Sequence, residues 1–141
     1  MKELKQLGWF VLAGVLLAAV SGCTKQAAEK AAVQGRWLGF QSGGSEMLTV
    51  EFTNNRFTYW DSRSNEIGGG TFKVNAAVNP MQMDLTFERM ASSEYVGKVG
   101  LAVFELRGNE LKIAGAEPGT TVRPTNIDGG EGIQVFTFNR E

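Results

Sequence analysis

The sequence predicts an all-β domain, an eight-stranded antiparallel up-and-down β-barrel preceded by a helical leader and a short tether. Three observations carry that expectation. From Gln34 onward, short runs of β-branched and aromatic residues are separated by Gly, Asn and Asp, the pattern of strands and tight turns. Several of these runs alternate apolar and polar residues at the period of two expected of half-buried strands. No stretch of helical periodicity separates them, so neighbours pair by short turns and a closed arrangement removes the exposed edges. The 18 glycines and only 3 prolines in 141 residues suit a folded, turn-rich domain rather than a disordered chain.

The first strand is predicted over Gly35 to Gln41, carrying Trp37, Leu38 and Phe40 and ending at the flexible Ser42-Gly43-Gly44-Ser45. The second runs Met47 to Thr53, with Leu48, Val50 and Phe52 on one face and Thr49 and Glu51 on the other. Asn54-Asn55 makes a hairpin turn, since Asn tolerates positive φ, into a third strand, Arg56 to Asp61. Ser62 to Gly69 reads as a polar, Gly-rich connection before a fourth strand, Gly70 to Asn75, in which Phe72 and Val74 share a face. Asn79-Pro80 breaks the chain. Met81, Met83, Leu85 and Phe87 then alternate with Gln82, Asp84 and Thr86 in the clearest strand of all. A loop over Arg89 to Lys98 leads to Val99 to Leu106, and Arg107-Gly108-Asn109-Glu110 turns into Leu111 to Gly115. Ala116 to Gly132 holds Pro118-Gly119, Pro124 and Asp128-Gly129-Gly130 and is a long loop, of the kind that carries function or stays mobile. Ile133 to Asn139 supplies the closing strand. A barrel of eight strands holds packed side chains or one small ligand, so Trp37, Phe52, Phe72, Met83, Phe87, Phe104 and Phe136 are the candidates to fill it.

Ahead of the barrel, Lys2 and Lys5 form a basic head, and Gly8 to Val20 is an apolar run of 13 residues. That is too short for the ~20 residues a helix needs to cross a bilayer, so it reads as an export signal. The run ends in small residues before the only cysteine, and Val20-Ser21-Gly22-Cys23 resembles a bacterial lipobox. The resemblance implies cleavage between Gly22 and Cys23 and a diacylglyceryl thioether on the Cys23 sulfur. Several acyl chains hold a protein at a membrane where one does so only marginally. The alternative is that Cys23 is merely the last buried thiol of an uncleaved anchor helix or of an ordinary signal peptide. Thr24 rather than Asp after the cysteine is similar to lipoproteins released to the periplasmic face of an outer membrane. The chain then divides into a signal peptide over 1–22, a lipidated tether over 23–33 and the barrel over 34–141. Thr24 to Val33, rich in Ala, Lys, Gln and Glu, has little to bury, so it should be a tether with some helical tendency that spaces the domain from the lipid.

The order of segments carries a second resemblance: Gln34-Gly35-Arg36-Trp37 at the start, Leu48 to Phe52 with Arg56-Phe57-Thr58, Gly70 to Val74, Pro80 to Thr86, Val103 to Ile113, Arg123-Pro124-Thr125 and the terminal Val135 to Arg140. From about Gln34 to Glu141 the chain resembles a small lipocalin-like domain family expanded in planctomycetes and related bacteria. That resemblance implies a lipocalin-like barrel, exported or membrane-tethered, and brings no catalytic residues with it. The long Ser62 to Gly69 turn and the Gly-rich 126–132 segment depart from the family's pattern.

Composition excludes much chemistry. With 14 Lys and Arg against 15 Asp and Glu, a net charge of -1 gives no case for nucleic-acid binding. No histidine and one cysteine remove imidazole catalysis, His-liganded metal, Cys-His nucleophiles and internal disulfides. Ser62, Ser64, Ser92 and Ser93 lack a neighbouring base. Asp61, Glu66, Asp84, Glu88 and Glu94 read as solvated charges rather than an acid pair or calcium site. Gly68-Gly69-Gly70 and Asp128-Gly129-Gly130 read as turn material, without the helix and Lys-Ser/Thr of a phosphate cradle.

The expectation is therefore a non-enzymatic envelope lipoprotein without cofactor or metal, binding a small apolar molecule or an envelope protein. The candidate contacts are Trp37, Tyr59, Trp60, Phe72 and Arg123. The aromatics suit an apolar pocket or ordinary core packing. Tyr59 and Trp60, being adjacent in a strand, face opposite ways. Arg123 either pairs with a carboxylate near the barrel mouth or covers an aromatic ring beside the rigid Pro124. A cavity of several hundred Å³ with an open mouth would favour a binder, whereas a filled barrel would favour a structural or interaction module. Phe87→Ala is expected to cost ~3–5 kcal/mol of stability if that ring is core; an unshifted denaturant midpoint would mean the strand's faces are reversed.

Overall fold

The computed structural model describes residues 17–141. Lys2, Lys5 and the apolar run as far as residue 16 lie outside the described residues. Helix α1 (Leu17–Ala32) precedes strands β1 (Gly35–Gln41), β2 (Met47–Thr53), β3 (Arg56–Trp60), β4 (Glu66–Asn75), β5 (Met81–Met90), β6 (Val99–Arg107), β7 (Glu110–Ala116) and β8 (Ile133–Arg140). A single 3₁₀ turn, Ser93–Tyr95, lies between β5 and β6. Each strand pairs antiparallel with the next, and β8 returns to β1, closing the up-and-down barrel. Among the described residues no helix is long and apolar enough to cross a membrane.

The alternation seen in the sequence decides which residues face inward. Val50 and Phe52, Phe72 and Val74, and Met83 and Phe87 are buried in the core, and Leu48, Met81 and Leu85 pack against it. The β2–β3 hairpin turns at Asn54, whose φ of 57° is the left-handed conformation that asparagine tolerates. Two expected boundaries differ by more than one residue. β4 begins at Glu66, so the connection after β3 is short and Gly68-Gly69-Gly70 lies within a strand rather than a turn. β5 extends three residues past Phe87 to Met90. The cause is common to both. The β4–β5 register slips between Gly69 and Gly70, passing from Arg89 to Phe87 and leaving Glu88 as the extra residue. A Cβ on Gly70 would lie 1.8 Å from the Thr86 carbonyl oxygen, so glycine is what lets the strands close up at this bulge.

One end of the barrel is shut by α1. Trp37 and Val33 are both fully buried there, and the Trp37 indole N–H donates to the Val33 carbonyl at 2.9 Å. Arg140, opposite Trp37 in the β1–β8 register, stacks its guanidinium 4.1 Å from the indole centroid. It also donates to the carbonyls of Ala32 (2.7 Å) and Gln34 (2.8 Å), satisfying groups that the end of a helix leaves unpaired. Two glutamine side chains bind the segment to strand ends as backbone amides would. The Gln34 amide accepts from the Asn54 N–H at 2.6 Å and donates to the Asn54 carbonyl at 3.0 Å. Gln26 accepts from the Ala76 N–H at 2.7 Å and donates to the Val74 carbonyl. The 24–33 segment, read from sequence as a spacer with little to bury, is thus helical to Ala32 and docked from Gln26 onward. Its small, polar composition hid a single deeply buried residue, Val33.

The long loop after β7 covers the outer wall. Arg123 donates to the carbonyls of Met83 (3.2 Å) and Ala102 (2.8 Å) and pairs with Asp84 at 2.5 Å. Lys112 of β7 reaches Asp128 at 3.4 Å. Val103 and Ala114 are register partners whose neighbours Ala102, Phe104 and Ile113 occupy the core, so both point outward, yet both are buried. Pro124, buried beside Arg123, belongs to the strap that passes over this wall.

Gly70→Ala is expected to lose about 1–3 kcal/mol, because strand backbone must give way. Gly115→Ala, whose new Cβ would meet Ala102 Cβ at an ordinary 3.8 Å, should stay within about 0.5 kcal/mol of wild type. Urea midpoints of the two variants check both.

Candidate functional site

Opposite the end shut by α1, the barrel is hollow. A cavity of about 140 Å³ is walled by Leu48 and Val50 of β2, Tyr59 of β3, Leu85, Phe87 and Met90 of β5, Ile113 of β7 and Phe136 of β8. Phe52, Phe57 and Phe138 form its floor, and Pro118 and Gln134 lie toward its mouth. The floor is stiff. Phe52 meets Phe72 edge-on at 4.9 Å, and Phe57 meets Phe87 edge-on at 5.3 Å. Below them Trp37, Phe72, Met83, Phe104 and Leu111 are tightly buried. The barrel is therefore filled in its closed half and empty in its open half, with a volume below the several hundred Å³ of a drug-sized pocket.

The loops around the mouth are tied in pairs. The Ser62 hydroxyl donates to Glu46 at 3.0 Å, joining the β1–β2 and β3–β4 connections. The Tyr95 hydroxyl donates to Glu117 at 2.5 Å, joining the β5–β6 and β7–β8 connections. No charged side chain lines the cavity among the described residues. Its polar groups are the Tyr59 hydroxyl and the Gln134 amide, the latter on the exposed rim.

Tyr59 is set by a row of three inward positions across neighbouring strands. Tyr59 pairs with Gly68 of β4, which pairs with Met90 of β5. A Cβ on Gly68 would come within 2.7 Å of both the Tyr59 ring and the Met90 sulfur, so the glycine leaves the gap across which they meet. The Tyr59 hydroxyl donates to Met90 Sδ at 3.1 Å, and burial pushes its pKa up to about 12. The Tyr95 pKa is also raised to about 12, chiefly by its hydrogen bond to Glu117.

Of the five candidate contacts, Tyr59 alone lines the cavity. Trp37 lies in the closed end under Arg140, and Phe72 packs beneath the floor. Trp60 faces outward with the Arg36 guanidinium 5.3 Å from its ring, so the adjacent pair does split between the two faces of β3. Arg123 meets a carboxylate, Asp84, on the outer wall rather than at the mouth. On the outer face of β1 and β2, Phe40 and Met47 are register partners and both well exposed, at 48% and 42%.

Four of the five acids singled out from the sequence, Asp61, Glu66, Asp84 and Glu88, are engaged elsewhere. Asp61 accepts from the Arg63 and Asn65 amides and the Asn65 side chain, and the Asn65 bonds hold its carboxyl below the usual range. Glu88 is held low by Arg56 at 2.6 Å, and Glu66 pairs with Arg89 at 3.1 Å. No group of three or more potential metal ligands occurs among the described residues. Cys23 falls within α1.

Sequence reasoning missed Met90, Ile113 and Gln134. Ile113 and Gln134 carry a strand alternation that was there to be read, whereas Met90 lies beyond the bulge that shifts the alternation of β5. Compared with known protein families, curated proteins and solved structures, the chain matches none.

Both tyrosines should stay protonated well past pH 10, where a free phenol is half ionised. Absorbance at 295 nm is the measure, and a step near pH 10 in the folded protein would contradict it. The raised folded pKa values leave stability untouched below about pH 10 and withdraw it as pH climbs toward 12, because the unfolded chain loses these protons first.

Proposed function

We propose that the barrel is a non-enzymatic binding module for a small apolar molecule and that a lipid on Cys23 holds it at the cell envelope. The cavity carries the first half of this reading. It is enclosed by apolar side chains, walled by a rigid floor and reached from the end that α1 leaves open, which is how small-molecule sites are built. A filled barrel serving only as a scaffold would need no such space, since interiors ordinarily pack without voids larger than a water. The acids paired to arginines on the outer surface form no cleft with the cavity.

The second half rests on the Val20-Ser21-Gly22-Cys23 sequence and on the family resemblance, which both describe exported, tethered proteins. Cys23 lies three residues before Gln26, about 4.5 Å along a helix axis. Gln26 is bonded to the strand ends of the closed end. An anchor at Cys23 would therefore seat the closed end next to the membrane and turn the mouth toward the aqueous phase, with little slack between lipid and domain.

Native mass spectrometry of the protein purified from its own envelope is the direct test. A small co-purifying mass on the wild type, absent when Ile113→Trp fills the cavity, is the expected result; bare protein in both would point to a scaffold. Cys23→Ala should abolish metabolic labelling by palmitate and slow leader cleavage, and retained labelling would overturn the anchor.

A further inference from the structure

The empty half of the barrel says something about the chemistry of its occupant. Its wall offers no counter-ion, so a carboxylate or ammonium placed there would be desolvated unpaired, at a cost that excludes it. Its size is close to that of an apolar cavity that accommodates a single benzene ring, so about six to eight non-hydrogen atoms fit inside.

The one hydroxyl on the wall is Tyr59, and its partner is unusual. A thioether sulfur is a weak acceptor, used here by a partly buried phenol that remains a donor far above neutral pH. Met90 is a flexible side chain that tolerates repacking and pays little for losing such a bond. A carbonyl or ether oxygen is a better acceptor for the same proton. Met90 keeps the Tyr59 hydroxyl satisfied across Gly68, and an oxygen brought beside that hydroxyl would compete with the sulfur for its proton.

We infer that the ligand is a neutral molecule with a hydrogen-bond-accepting oxygen on a compact apolar body, and that Tyr59 anchors it in exchange for Met90. This rests on the reading of the cavity as a binding site, and the two can fail separately. Cyclohexanone and methylenecyclohexane differ only in an oxygen for a methylene and fit the available space. Titration calorimetry or ligand-observed NMR gives the affinity of each for the wild-type protein, for Tyr59→Phe and for Met90→Leu.

Tyr59→Phe should weaken cyclohexanone by about 3- to 10-fold, the worth of one hydrogen bond, and leave methylenecyclohexane within about twofold. Met90→Leu, which removes the competing sulfur, should tighten the ketone and not the hydrocarbon; it carries the test if the tyrosine variant folds poorly. Equal effects of each substitution on both compounds would overturn the anchor while leaving the site in place. Failure of both compounds to bind wild type would overturn the site itself, binding of the hydrocarbon but not the ketone would overturn the anchor, and tight binding of cyclopentanecarboxylate would overturn the requirement for a neutral ligand.

Discussion

The stack of Arg140 on Trp37 is the contact on which the rest of the barrel depends. It joins the first strand to the last, so it sits on the seam where an up-and-down meander must close. It also caps the helix: the guanidinium that covers the indole reaches the carbonyls of Ala32 and Gln34, and the indole N–H takes that of Val33. Three carbonyls of a chain entering a barrel are thereby paired, and the Val33 carbonyl, met by the indole in the buried interior, is the one that would be costly to leave alone. A planar, delocalised cation is needed for this, since it must lie on a ring and donate sideways at once. Lysine has the charge but not the fork.

That seal explains how the other end can be hollow. A barrel of this size normally fills its interior with side chains, and a cavity forfeits dispersion energy on every wall that lacks a neighbour. Here the closed half concentrates the large buried residues, including Trp37, Phe72, Met83, Phe104 and Leu111, beneath the aromatic floor. The outer wall adds a second buried layer through Val103, Ala114 and the loop fastened by Arg123. Stability is thus gathered at one end and one side, leaving the open end free to be shaped by something other than packing.

Much of the architecture was legible because alternation and turn chemistry act locally. The eight strands, their order and the inward faces of β2 and β5 followed from period-two runs and from Asn and Gly at the turns. The features that escaped depend on contacts between residues far apart in sequence. Nothing in Thr24 to Val33 announces a docked segment, because its hold lies in the Gln26 amide, one valine and the adjoining Gln34 amide, whose partners are up to fifty residues away. Arg123 could be seen as an arginine in need of a partner, but not which partner, because the path of a long loop is set by the wall it crosses. Aromatic residues were the natural candidates for a pocket, yet aromatic bulk serves equally to fill space, and Trp37 and Phe72 do that.

The site itself was hidden by the device that makes it. Three consecutive glycines look like a turn, since glycine is the residue of turns; within a strand they mark where backbones or side chains come too close for a Cβ. Gly70 allows the bulge, the bulge makes Glu88 the extra residue, and the shifted alternation brings Met90 inward where strict period two would have put Arg89. Gly68 then opens the gap in which the Tyr59 hydroxyl meets the Met90 sulfur. A residue with no side chain thus determines which two side chains meet at the wall, and the one hydroxyl inside the cavity finds its partner because β4 supplies nothing at that point.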